Sequence, residues 1–478
     1  MGGDLNLKIG KPNASENDPV ATYSRFVLAF AFQLQSVTNV SRPGTLYYKV
    51  NEKKDLSYIK RRKYFTRETA DTLYERGQWL TLCDDWGQTT WGKAEVTVML
   101  RDKPFNIGML PPQIVIFETP EIKHQQNPNI LQTGFLYVDL YFPEQQANHP
   151  QLDDLLVLNE FFRYFGIPYD FHANIFKNMF SEIPVSPNSY KTIGSLEPLE
   201  RYFERWAALL EIPLEFNGQY YQLFTQEWAD SAKDWMYNRP DSTNLEHWQI
   251  YADNRCYVWT AAFLDKGGET LKASFKPSEH KLIASDYGHW IKLLNVDNPP
   301  FDFQLLRYKD SQYTHEAVTR FESEWAEVRT YKRWESTGSW YGFSYHSAAI
   351  LAPPERMVFF PSTTYYFDAT LLLLYIRMNL FRFGRELSKV MQDNLDNQGH
   401  SDKQIKQQKK TMEKLRKLRR QFSEFTVLYQ FPMLSNQQQA IELYEINRQF
   451  LDIEQLFKET KQKIENTHEF LELGGVLN

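Results

Sequence analysis

The densest concentration of residues able to bind a ligand lies at 329–346, RTYKRWESTGSWYGFSYH, where Arg329, Lys332 and Arg333 sit beside Trp334, Trp340, Tyr341 and Tyr345 and His346 closes the segment. Cations interleaved with aromatic rings can stack a base and hold a phosphate. Gly338 and Gly342 would let such a ligand approach the backbone closely. Arg329, Arg333, Trp334, Tyr341 and His346 are therefore the candidate ligand-binding residues. The same spacing suits a plainer arrangement, an aromatic core strand pair capped by arginines through cation–π contacts. Paired carboxylates occur at Asp84-Asp85 and Asp153-Asp154, and hard cations prefer such oxygen ligands. Adjacent positions diverge by about 100° on a helix, so at most one carboxylate of each pair can face a given ion. A turn before Trp86-Gly87 and a helix start after Pro150 account for the two pairs without a metal.

Other chemical signatures are missing: there is no GxSxG, P-loop, GxGxxG or HExxH, and no two of the ten His stand four apart. Cys83 and Cys256 are the only cysteines, too few for a disulfide framework or a cysteine-built zinc site. Two basic runs remain, Lys60-Arg61-Arg62-Lys63 and a stretch at 403–420 with nine Lys or Arg. Such runs read as a solvated helix face or as attraction to an anionic membrane surface or nucleic acid.

The elements that must position these groups follow from periodicity. Strand patterns begin at Phe26, Ala94, Gln113, Gly134 and Cys256, and a further strand is expected at 290–296. Helical patterns start at Thr66, Leu152 and Leu199, the second with a stripe through Leu152, Leu155, Leu156, Leu158, Phe162 and Phe165. This interleaving predicts an α/β fold, with α+β as the alternative, built on a mixed sheet. A flexible tail is expected at 1–22, an α/β domain at 23–360 with a lobe boundary near 184–244, and a long-helix stalk or hairpin at 361–478. In that last region Leu415, Leu418, Phe422, Phe425 and Tyr429 step by three and four, as do Leu443, Ile446, Phe450, Ile453 and Phe457, continuing to Ile464 and Leu471. Leu415, Leu418, Phe422, Phe425, Leu443, Phe450 and Phe457 are the expected oligomer or partner seam. Ser435 with Gln438 three residues on reads as a capping box, predicting one helix over 436–473 that protrudes or packs along its own hairpin partner.

The composition bounds the rest. With 478 residues, 42% hydrophobic and 15% aromatic, the chain can build a large core. Its net charge of −6 argues against an extended nucleic acid as partner. The apolar runs 26–41 and 369–376 fall short of the roughly 20 residues a bilayer needs, and no signal peptide is read at the start. Gly2 does not carry a myristoylation motif, because Asn6 stands where Ser or Thr is wanted.

The segments YGHWIKLLNVD (287–297), RTYKRWE and YGFSYH (within 329–346) and FTVLYQFPMLSNQQQ (425–439) resemble bacterial CorA-like proteins, relatives of the CorA divalent-cation transporters. The resemblance runs from about Tyr23 to Leu473. It implies a cytosolic α/β domain, long stalk helices, two membrane helices and a homo-oligomer, usually a pentamer, with Mg²⁺ as the cation concerned. After the stalk-like helix the sequence ends at Asn478 with neither membrane helices nor the Gly-Met-Asn motif, and Arg377-Met378-Asn379 within an amphipathic helix is no substitute. The expectation is a chain that does not itself conduct ions, as a soluble portion of a longer protein or a soluble relative, cytoplasmic or at the inner face of the cell membrane. No acidic residue is carried over as a metal ligand. Three functions follow: a non-enzymatic sensor of a cation or small ligand, an effector subunit of an antiviral system answering a nucleotide messenger through 329–346, or a scaffold docking a partner on its C-terminal helices. An enzyme ranks behind all three.

Overall fold

A computed structural model of the chain describes residues 5–11, 22–34, 47–50, 56–83, 94–100, 103–110, 113–117, 132–163, 248–250, 256–265, 275–276, 281–282, 284–296, 320–395 and 402–476. Asp84-Asp85, the helical pattern from Leu199 and the lobe boundary at 184–244 lie outside these residues.

In chain order the described elements are β1 (Arg25–Leu34), β2 (Tyr47–Val50), α1 (Leu56–Tyr64), α2 (Arg67–Ala70) running into a π-turn (Asp71–Arg76), β3 (Gln78–Cys83), β4 (Ala94–Leu100), β5 (Lys103–Met109), β6 (Gln113–Phe117), β7 (Gln132–Tyr141) and α3 (Leu152–Arg163). There follow β8 (Trp248–Ile250), β9 (Tyr257–Phe263), a small hairpin of β10 (Phe275–Lys276) and β11 (Lys281–Leu282), α4 (Ala284–Leu294) and α5 (Arg320–Arg329). Then come β12 (Thr330–Tyr331), a 3₁₀ turn (Glu335–Thr337), β13 (Trp340–Phe343), β14 (Ser347–Ala352), α6 (Arg356–Thr363), α7 (Tyr365–Leu395), α8 (Asp402–Tyr429), α9 (Gln438–Phe450) and α10 (Ile453–Val476).

The fold is α/β. Twelve strands form one mixed sheet whose main path runs β12-β13-β14-β9-β1-β7-β6-β3-β2, with β8 beside β1 and the β4–β5 hairpin attached through β7. Among the described pairs only β9 and β14 are parallel, Ser347 opposite Val258 through Ala352 opposite Phe263. A parallel pair needs a crossover, and α4 and α5 fall within it. Alternate residues on a strand point to opposite faces. On β9, Trp259 donates its indole N–H to the carbonyl of Ser362 in α6 at 3.0 Å, while the next residue, Thr260, accepts from Asn159 of α3 at 2.8 Å. On β13, the Trp340 ring lies 5.8 Å from Trp290 of α4 and the Tyr341 ring 6.0 Å from Tyr366 of α7. Helices α3 and α4 therefore cover one face, and α6 and α7 the other.

The C-terminal helices share a core with the sheet. Tyr375 of α7 touches Phe117 of β6 at 4.7 Å and Tyr429 of α8 at 4.7 Å, and Phe422 of α8 meets Phe383 of α7 and Phe457 of α10 at 5.2 and 5.3 Å. Leu415, Leu418, Phe422 and Phe425 are all buried by these contacts, as is Leu443 of α9. The heptad seam is thus used inside the chain, with Phe450 and Phe457 half-buried at its edge. No helix among the described residues is long and apolar enough to cross a membrane.

Three expectations are corrected. Residues 290–294 of the expected strand 290–296 are the end of helix α4: Trp290, Leu293 and Leu294 recur at helical spacing and are all fully buried. The single helix over 436–473 is two helices, broken at Leu451–Asp452, where Asp452 takes a left-handed φ of 55°. Ser435 does not cap α9, whose N-cap is Gln437 without a side-chain bond. Its hydroxyl donates instead to the carbonyl of Tyr64, and Thr66 N–H donates to Leu434 O at 2.8 Å, tying the entry of α9 to the end of α1. Part of the stretch expected to be a loose tail is also held: Leu7 is fully buried, its N–H donates to Pro150 O at 2.8 Å, and Lys8 pairs with Asp265 at 3.0 Å.

Candidate functional site

The five candidate residues of 329–346 do not converge. Arg329, at the end of α5, has its guanidinium 4.4 Å from the rings of both Trp325 and Phe450 and donates to Trp325 O at 3.0 Å. Arg333 grips Glu442 of α9 with two N–H groups, at 2.8 and 2.5 Å. Tyr341 is buried in the core, its ring 6.0 Å from Tyr331 and from Tyr366. Trp334 lies on the surface, and His346 stands at the turn after β13, its ring 5.0 Å from Tyr345. Gly342 serves packing rather than a ligand: a Cβ there would meet Leu294 Cδ2 at 2.5 Å and Trp290 Cζ2 at 2.8 Å. Gly338 closes the 3₁₀ turn with a φ of 78°. The segment forms an aromatic strand pair with arginines stacked at its edges, Arg377 of α7 adding a guanidinium 3.3 Å above the Tyr345 ring.

What the segment does build is a latch onto α9. Glu442 accepts from Arg333, from the Tyr331 hydroxyl at 2.5 Å and from Gln438 Nε2 at 2.9 Å. These bonds, Arg333 foremost, hold the Glu442 carboxyl down at about 2.

A second constellation joins residues far apart in sequence. Asp368, in the first turn of α7, is fully buried beneath the sheet. Both its oxygens lie 3.1 Å from Arg61 Nη1 of α1, and Oδ2 accepts from the Tyr74 hydroxyl at 2.6 Å. Tyr74 is presented by the π-turn Asp71–Arg76, an irregularity that turns its ring inward. Beside it, Arg25 on β1 pairs with Asp139 on β7 at 2.5 Å, both side chains nearly closed to solvent. The register sets Val27 opposite Asp139, so this pair lies diagonally on the face that α7 covers. Tyr137, two residues before Asp139 and on the same face, donates to Gln113 and feels the charges of Arg61, Asp368, Arg25 and Asp139 together.

Burial dominates the electrostatics here. It pushes Asp139 up to about 6 against the pull of Arg25, and raises Asp368 against the pull of Arg61 and the Tyr74 hydroxyl. Arg25 Nε, Arg61 Nε and Asp139 Oδ1 are buried with no hydrogen-bond partner. Two carboxyls displaced toward protonation lie with two guanidiniums and two phenols on the seam between α7, α1 and the sheet. The signal available beforehand was a single aspartate leading the apolar run ATLLLLYI. The basic run at 60–63 was visible, but not that Arg61 turns inward while Arg62 pairs with Asp71 at 2.5 Å.

The other expected acidic pair does what a helix start requires. Asp154 accepts from Gln151 N–H at 2.8 Å at the head of α3, and Asp153 lies 3.0 Å from His289. Among the described residues no group of three His, Cys, Asp or Glu comes together to hold a metal ion, and no Mg²⁺ ligand is assigned. Compared with family models, curated proteins and solved structures, the chain matches none of them.

Proposed function

We propose that this chain is a non-enzymatic regulatory module of CorA-like type, in which a small ligand or cation met by the α/β layer changes how the C-terminal helices are held. One observation carries the reading: α7 is a single helix of 31 residues whose first turn packs on the sheet through Phe367 and is ion-paired to Arg61 of α1 through Asp368, and whose later turns pack against α8 and α10. A rigid element spanning both regions converts a shift at one end into a shift at the other. The seam of α8 and α10 is satisfied within the chain, so self-association draws on other surfaces.

Light scattering at tens of micromolar protein, with and without Mg²⁺ and with a panel of nucleotides, tests this. A ring-sized assembly whose mass or stability responds to one of these ligands supports the module. A monomer indifferent to all of them overturns it. A scaffold role is the second reading, favoured by Phe321 and Val328 on α5, which are 74% and 61% exposed. Capture of a protein partner that the replacements Phe321→Ser and Val328→Ser abolish would select that reading.

A further inference from the structure

We infer that the outer flank of α8 is a docking surface for anionic lipid headgroups. The inference stands apart from the regulatory reading, since its readout is lipid binding and not assembly or ligand response.

The charge of the molecule is unevenly divided. Helix α8 carries nine of the chain's 54 Lys and Arg and three of its 60 Asp and Glu, leaving 45 basic against 57 acidic residues elsewhere. A chain of net charge −6 thus holds a strongly cationic long helix. Its buried face is occupied by Thr411, Leu415, Leu418, Phe422 and Phe425. Lys409, Lys410, Lys414, Arg416, Lys417, Arg419 and Arg420 are all exposed. Arg420 has Glu424 at 3.4 Å, while Lys409, Lys410, Arg416, Lys417 and Arg419 have no carboxylate partner among the described residues. Like charges this close repel one another, and Glu413, three residues from Lys410 and four from Lys417, offsets only part of the excess of nine basic over three acidic residues on the helix.

The spacing identifies the partner. Lys403, Lys406, Lys410, Lys414 and Lys417 step by 3, 4, 4 and 3, which sets their positions in one row along the helix over about 21 Å. Arg416 and Arg419 fall on the opposite flank. A straight row on a convex helix meets a plane along its whole length, but meets the curved backbone of a nucleic acid at only a few points. Residues 402–420 contain no aromatic on which a base could stack. Lysine is a compact point charge on a flexible stem, suited to a fluid layer of headgroups rather than to a fixed bidentate geometry. Each lysine close to such a surface contributes about fivefold in affinity.

The test is co-sedimentation of the full chain with phosphatidylcholine vesicles, with and without about 30 mol% phosphatidylglycerol. The expected result is binding to the anionic vesicles alone, lost as salt is raised from about 0.05 M to about 0.5 M. The triple variant Lys410→Gln, Lys414→Gln, Lys417→Gln is expected to weaken it about a hundredfold, and Arg416→Gln with Arg419→Gln by no more than about twofold. Circular dichroism checks that each variant keeps the parent fold, and the salt series on the parent chain does not depend on any variant. Equal binding to neutral vesicles, a triple variant that binds like the parent, or a duplex DNA that binds more tightly than the vesicles at the same salt would each overturn the assignment.

Discussion

Glu442 and Asp139 are both carboxylates gripped by an arginine, yet their surroundings drive them in opposite directions. At the α9 latch, Glu442 is partly open to solvent, and hydrogen bonds from Arg333 and Tyr331 hold it down at about 2. Beneath the sheet, Asp139 has Arg25 at 2.5 Å and is nonetheless pushed up to about 6, because desolvation outweighs the partner. Asp368 follows Asp139 in direction despite bonding to both Arg61 and Tyr74. The difference teaches that an arginine–carboxylate contact is not one kind of interaction. In water it fastens two elements reversibly. Under a sheet it makes the seating of α7 conditional on protonation and on every partner being present.

The largest effect expected from breaking this contrast is at Asp368. Replacing it by Ala leaves the Arg61 guanidinium, 25% open to solvent, without its carboxylate, and the loss of this partly buried pair lowers stability by about 2–3 kcal/mol, less than for a fully buried charge. Urea unfolding measures it, and a loss under about 1 kcal/mol would show that the seam does not hold α7.

The next effect is one of pH. The folded carboxyl of Asp139, at about 6, lies above its ordinary value of 3.8, so between these values the folded state binds more protons than the unfolded one. Its contribution therefore grows as pH falls from about 6 to about 4, by at most about 3 kcal/mol. Glu442 runs the other way: its contribution is present above 4.5 and is lost as pH falls toward about 2. A pH series of Tm for Asp139→Asn should lose the rise between pH 6 and 4 expected of the parent; an identical slope in both proteins would remove Asp139 as its source.

Tyr74→Phe sharpens the comparison further, deleting one hydroxyl from a buried carboxylate while keeping the ring. A loss of about 1.5–3 kcal/mol is expected, with a wild-type value counting against a hydrogen bond of consequence. Smallest of all should be Glu442→Gln, a Tm change near the error of measurement, and one that shrinks further in high salt. A salt-insensitive loss as large as that of Asp368→Ala would erase the distinction between the two regions.

Much of the architecture was readable from periodicity. The patterns at Phe26, Ala94, Gln113, Gly134 and Cys256 are β1, β4, β6, β7 and β9, and the stripe from Leu152 is α3. Helix α4 was misread because WIKLL is a short apolar run, and only its continuation back to Ala284 distinguishes a buried helix from a buried strand. The heptads marked which side of α9 and α10 is apolar, but a repeat that keeps its phase across Asp452 says nothing of continuity. The buried cluster was not readable at all, since Arg61 and Tyr74 lie 307 and 294 residues from Asp368. No local pattern reports a pairing set by the sheet. The segment 329–346 stands out by its residue types, but its aromatic side chains answer mainly to the core on either side of β13.

The order of elements along the chain has a kinetic consequence during synthesis. Strands β1 and β7 both lie within the first 141 residues, so Arg25 and Asp139 can meet as soon as that length has emerged. Their cover, Thr363 and Asp368 of the α6–α7 junction, lies more than 220 residues later, an interval of roughly 10–45 s at ordinary rates of translation. Throughout it the face that α7 will bury stays open, an apolar surface studded with hydrated charges. Charged groups on an exposed face favour solubility, and the arrival of α7 strips their water and turns them into a lock.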